Sequence, residues 1–159
     1  MTLPPARTLV FLAAAGSAAM LLSAWGFQYL GGLAPCAMCI WQRWPHAIAA
    51  LAGILGLLSA PLAAVIGLGA SLVGTAVAVF HSGVERDLWD GPSTCTSNTN
   101  VGGMSAEDLL NQILEAPLVR CDEIPWELLG LSMANWNAIV SLGFVCVWGL
   151  ALWRSVRAA

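Results

Sequence analysis

Cys36-Ala37-Met38-Cys39 is the stretch of this chain best equipped for chemistry, with Arg43 one helical turn past the second sulfur. A Cys-x-x-Cys pair holds or passes two electrons, because two thiols become one disulfide. A bridge across two intervening residues removes little chain entropy, so such pairs are more often reactive than structural. Thiolate is the nucleophile, and a helix N-terminus or a nearby cation favours it. Cys39 stands where an apolar run begins, and on a helix Arg43 shares its face. An arginine at a bilayer edge can simply snorkel to headgroups, but its spacing from Cys39 gives it a place at the site. Pro45 suits a first helical turn. The regular helix is therefore expected from about Trp44, with 36–43 in an irregular turn.

The elements that position these groups belong to a membrane protein. The chain is 58% hydrophobic and 9% charged, and all six of its basic residues are arginine; a water-soluble surface needs more charge. Four apolar runs, 8–30, 40–58, 62–82 and 132–153, each approach the ~20 residues that carry a helix across a hydrocarbon core. The expected fold is all-α: an antiparallel four-helix transmembrane bundle in a single domain, 1–159. Arg7 precedes the first run, and Trp25, Phe27 and Tyr29 end it as an interfacial belt, so it reads as a retained span and not a signal peptide. Arg154 and Arg157 follow the last run, and all nine acidic residues lie between Glu85 and Glu127. The positive-inside rule then places both termini in the cytoplasm, with the Cys36–Cys39 end and the loop 83–131 on the far side. Ser105-Ala106-Glu107-Asp108 resembles a capping box, followed by Leu109, Leu110, Ile113 and Leu114 at helical spacing. This predicts a short amphipathic helix in the loop, lying on the membrane or docked on the bundle. Small-xxx-small steps at Ala49–Gly53 and Gly67–Ser71 are weak packing signals in so Ala-rich a chain.

On the oxidising side of a membrane, Cys36, Cys39, Cys95 and Cys121 point to two disulfides. The obvious pairing is Cys36–Cys39 and Cys95–Cys121, although spacing alone leaves connectivity open. A staple for a long loop would account for Cys95–Cys121 by itself. A zinc site wants two close pairs, and these two are far apart; no metal is expected. Covalent haem needs His after the second Cys, where Ile40 stands. Cys146, in the fourth run, is expected to be a packed apolar residue. His81 ends the third run at the level of Cys39 and Arg43, in reach of a bound polar headgroup; taken alone it would be an interfacial histidine. His46 receives no function, and Trp41, Trp44, Trp89, Trp126 and Trp136 are boundary anchors.

Pro35-Cys36-Ala37-Met38-Cys39-Ile40-Trp41-Gln42-Arg43, then Phe80-His81, then Cys95 and Cys121, then the stretch from Asp122 to Trp136, resemble in order the disulfide bond formation protein B (DsbB) family of the bacterial envelope. The similarity covers roughly 25–140. It implies a thiol:quinone oxidoreductase of the bacterial inner membrane that reoxidises a periplasmic, thioredoxin-fold, DsbA-like dithiol oxidase. Electrons would pass to a membrane quinone, ubiquinone or menaquinone. By this resemblance Cys95 forms the mixed disulfide with the partner and Cys121 is its bridge mate. The reduced loop pair exchanges with Cys36–Cys39, and Cys39 lies next to the quinone. Arg43 supports the negative charge, and His81 and Met133 are further quinone neighbours. Two positions depart from a well-known member: Gln42 replaces an acidic residue, and Glu85 replaces an amide.

Two other readings compete. A vitamin K epoxide reductase-like protein shares the bundle, the quinone and two cysteine pairs, but has the loop pair before the Cys-x-x-Cys. A non-enzymatic, tetraspanin-like four-span protein with a stapled loop leaves Cys36, Cys39 and Arg43 without a task.

Overall fold

Long runs of Ala, Leu and Val satisfy their backbone in lipid by coiling, and the apolar runs are helical over nearly their whole length. The computed structural model describes residues 4–92, 95, 105, 107, 110, 114 and 119–157. Within them, α1 spans Ala6–Tyr29, α2 Ala37–Leu55, α3 Ala60–Val84 and α4 Met133–Arg157. Helices α1, α3 and α4, of 24, 25 and 25 residues, are long and apolar enough to cross a membrane. Helix α2 has 19 residues, and the polar and aromatic stretch from Trp41 to His46 lowers its hydropathy.

Helix α2 starts earlier than its sequence suggests. Cys36 is its N-cap: the sulfur accepts the backbone N–H of Cys39 at 3.2 Å, doing for an orphan donor what a Ser or Asp oxygen usually does. Pro45 therefore lies inside the helix and does not open it. Its ring is buried against α3, where a Cβ on Gly74 would come within 3.2 Å of the Pro45 Cβ. A missing side chain on one helix accommodates the ring on the other.

Each helix packs on its neighbour in the chain, and α1 also meets α4, which closes the bundle. One end is filled by small residues: Val10, Ala13 and Ala14 of α1, Ala49 and Ala52 of α2, Ala63 and Ala64 of α3, with Trp148 and Ala151 of α4. Both small-xxx-small steps lie at interfaces there. A Cβ on Gly53 would strike Ala14, and one on Gly67 would strike the Trp148 ring. The outer faces carry Leu22, Leu51, Ile54, Leu62, Val73 and Leu142, all exposed. So continuous an apolar surface suits hydrocarbon and not water. Cys146 is also exposed; it sits on this outer face and not, as its apolar context suggests, in the packing.

A small β-hairpin pairs β1 (Glu127–Leu128) with β2 (Leu131–Ser132) in antiparallel register. Leu129 and Gly130 have φ of 56° and 73°, the double left-handed turn that matches strand twist. Sequence reading treats this segment as loop; Leu129-Gly130 is its only turn signal. The hairpin delivers the chain to the start of α4, where the Trp136 indole donates to the Leu128 carbonyl at 3.2 Å. Of the amphipathic helix expected near 105–114, Glu107, Leu110 and Leu114 are helical and Ser105 is not; the remainder lies outside the described residues.

Candidate redox site

At the other end of the bundle the core is built of sulfur. Cys36, Met38, Val84, Cys95 and Cys121 form one buried cluster, with Cys39 packed against it. Cys95 and Cys121 are joined in a disulfide with Cα atoms 5.0 Å apart. Both are fully buried, and the Cys121 N–H donates to the Cys95 carbonyl. The Arg120 guanidinium hydrogen-bonds Asp122, flanking the bridge, and holds that carboxyl below its ordinary range.

Cys36 and Cys39 are thiols in this structure, not bridged. The Cys36 thiol donates to the Cys39 sulfur at 2.8 Å. That bond first, and burial second, push the Cys36 thiol well above its ordinary value, so it keeps its proton. The arrangement leaves Cys39 as the sulfur that accepts: it receives a hydrogen bond near the N-terminus of α2. The Cys36 and Cys121 sulfurs and a ring nitrogen of His81 all lie within 4.8 Å of one another. The two cysteine pairs thus meet through Cys36 and Cys121.

His81 is not at an interface. It is 3% exposed. A chain of side chains fixes its orientation. His46 Nε2 donates to Asn137 Oδ1 at 2.8 Å, Asn137 Nδ2 donates to Gln42 Oε1, and Gln42 Nε2 donates to His81 Nδ1 at 2.7 Å. Because Nδ1 accepts, the ring proton must sit on Nε2. That nitrogen lies 3.6 Å from the Cys36 sulfur.

A cavity of about 290 Å³ opens beside these groups. Cys39, Arg43, His81 and Met133 all line it, as do Met20, Leu21 and Phe27 of α1. Arg43 reaches across to α1, where Gln28 Oε1 accepts its Nη1 proton at 2.7 Å. Trp126 packs on Phe27 with ring centroids 5.3 Å apart. With Trp136 it forms part of the cavity wall, a more specific role than boundary anchor. Trp41 and Trp44 do face outward.

Residues 6–151 match the family model described as "Disulfide bond formation protein DsbB". The chain belongs to the DsbB family. Among curated relatives, the disulfide bond formation protein B of Methylococcus capsulatus is 35% identical over 99% of this chain and 100% of its own length. That of Albidiferax ferrireducens is 33% identical over 96% and 90%, and that of Pasteurella multocida 32% over 78% and 74%. Membership makes this chain a membrane oxidoreductase of disulfide bond formation.

Within this DsbB-family bundle, Gln28, His46, Asn137 and Ser132 shape the site although nothing in the sequence assigns them a function, and Gln42, marked there only as a departure from a family member, joins them. A signal was present. Gln42 and His46 are one turn apart on α2, and Asn137 and Ser141 one turn apart on α4. Polar side chains repeating on one face of an apolar helix point into the bundle.

Proposed function

We propose that this chain is a thiol:quinone oxidoreductase that reoxidises a DsbA-like periplasmic dithiol oxidase and passes the electron pair to a membrane quinone. The observation that carries the proposal is the approach of Cys36 to Cys121 within 4.8 Å, beside Cys39. Thiol–disulfide exchange needs a thiolate to reach a disulfide sulfur in line, and this cluster supplies successive sulfurs. A partner thiolate attacks Cys95, and the pair Cys95 and Cys121 is reduced as the partner leaves oxidised. Cys121 then attacks Cys36 of a bridged Cys36–Cys39, and Cys39 departs as thiolate. Cys95 closes on Cys121 and leaves Cys36 as thiol. Cys95 is buried in the state described, so its cover must be displaced before a partner can reach it.

The cavity fits a quinone head. Its walls are largely apolar, and Arg43 and His81, both donors, line it together with Cys39. Met133 and the α1 side chains would hold the ring by contact. A quinone bound there supplies a two-electron acceptor. Arg43, steadied by Gln28, would offset negative charge as it develops, and the His81 ring, locked by Gln42, presents its Nε2 proton. Helix α2 serves as a fourth span: Gln42 and His46 are buried while Ile48, Leu51 and Ile54 face outward. Its polarity is thus turned away from lipid.

Two measurements test this. With a quinone and a reduced DsbA-type protein, Cys39→Ala should lose turnover entirely, while Cys146→Ala should retain it. Turnover surviving Cys39→Ala would refute the route. In a Cys39→Ser/Cys95→Ser variant, peptide mapping should find a Cys36–Cys121 disulfide. Its absence after mild oxidation would mean that the two pairs do not communicate through these sulfurs.

A further inference from the structure

One ionisable group at this site has no part in the sulfur relay. Glu85 caps the C-terminus of α3, and its side chain is only 2% accessible. Among the described residues it is the only acidic side chain in the buried class. Ser132 Oγ of the hairpin donates to Glu85 Oε2, and Glu85 Oε1 lies 3.9 Å from His81 Nε2. Neither nearby arginine is bonded to it: Arg43 donates to Gln28, and Arg86 turns outward to Gly130 and Asn135. Glu85 lines the same cavity as Cys39 and Arg43. The charged or titratable groups around it are His81 on α3, Arg86 after it, Glu127 on the hairpin, and Cys39 on α2.

A buried carboxylate without a bonded cation is costly, and burial raises its proton affinity. Two negative charges in one low-dielectric pocket repel, so when one appears the other tends to take up a proton. Glu85 and Cys39 stand in that relation.

We propose that Glu85 takes up one of the two protons released as the loop thiols re-form their bridge, while Cys39 stays a thiolate, and yields it when the electron pair leaves the dithiol for the quinone. This rests on the oxidoreductase reading above. The steps balance. In the exchange, the thiols of Cys95 and Cys121 become a disulfide and release two protons. The Cys36–Cys39 bridge takes the electron pair; Cys36 keeps one proton, and the other passes to the Glu85 carboxylate. In the second step Cys36 and Cys39 re-form their bridge and yield two electrons to the quinone. Cys36 and Glu85 each yield a proton, which gives quinol and a Glu85 carboxylate. Net charge within the site stays constant, and no proton need enter from water.

The test counts protons without any quinone. In quinone-depleted protein carrying Cys95→Ser and Cys121→Ser, the Cys36–Cys39 bridge is reduced with a phosphine in weakly buffered solution at neutral pH. With Glu85 intact, the expected release is close to zero protons per bridge. With Glu85→Gln it rises to about one, and Glu85→Asp restores the low value. Infrared difference spectra should show a protonated carboxyl appearing on reduction, absent in Glu85→Gln. Equal release with and without Glu85, or no carboxyl band, would overturn the proposal. Should Glu85→Gln not fold, the infrared band of the unmodified Glu85 decides alone. In the otherwise native chain, Glu85→Gln should slow quinone reduction about 10²-fold, the scale of a positioned general acid. If the native chain shows no quinone-dependent turnover, the oxidoreductase reading falls by itself, and the proton count still decides Glu85.

Discussion

The tautomer of His81 illustrates how single residues set this site. Its Nε2 proton faces sulfur only because Gln42 occupies Nδ1, and Gln42 is held by Asn137 in turn. Gln42→Leu keeps the bulk but removes the donor. It leaves His81 Nδ1 buried without a partner, at about 1–3 kcal/mol, and the half-buried Asn137 Nδ2 without its acceptor. The expected outcome is a lower unfolding temperature in detergent and slower turnover. Gln42→Glu should recover turnover in part, since a carboxylate can still hold the ring, though by the opposite tautomer. If Gln42→Leu behaves as wild type in both measurements, the chain of donors has no role in holding the ring. At this scale the sequence is partly legible. Cys36, Cys39 and Arg43 announce themselves because their chemistry is rare in an apolar chain. Gln42 and Asn137 do not, because an amide has no preferred reaction and its meaning lies in what it touches.

Helices bring these residues to one level, and their approach depends on absent side chains. Gly67 lies under the Trp148 ring, whereas a Cβ on Gly69, two residues on, would meet nothing within 4 Å. The two glycines look alike in sequence and are opposite in consequence. Gly67→Ala should force the indole aside, an overpacking cost of about 1–3 kcal/mol. Gly69→Ala should be neutral or stabilising by up to about 1 kcal/mol through helix propensity. Thermal unfolding in detergent separates the two; equal shifts would show that α3 and α4 do not meet at Gly67. Helix positions were readable from the apolar runs, with ends displaced by a few residues. The start of α2 was not, because sulfur is an uncommon N-cap and Pro45 is an ordinary helix opener. The hairpin escaped notice because two-residue strands leave no periodic pattern.

For the whole molecule, the two ends of the bundle differ in kind, and the proposed orientation rests on that difference. One end is an apolar core of Ala, Val and Trp148, flanked by Arg7 in the first turn of α1 and by Arg154 and Arg157 in the last turn of α4. The other holds the sulfur cluster, the cavity and the acidic loop. Arginines near span ends stay on the cytoplasmic side, while acidic residues contribute little to the choice. A secreted-phosphatase reporter joined after Gly91 should therefore be active, and one joined after Arg157 inactive. Changing Arg154 and Arg157 to Glu should raise the activity of the second fusion. An inactive reporter at Gly91 would place the Cys95–Cys121 bridge in a reducing compartment, where it would not persist. Cys36 would then have no oxidised neighbour to exchange with. Orientation is thus the condition on which the sulfur relay depends, and this measurement tests it without assaying turnover.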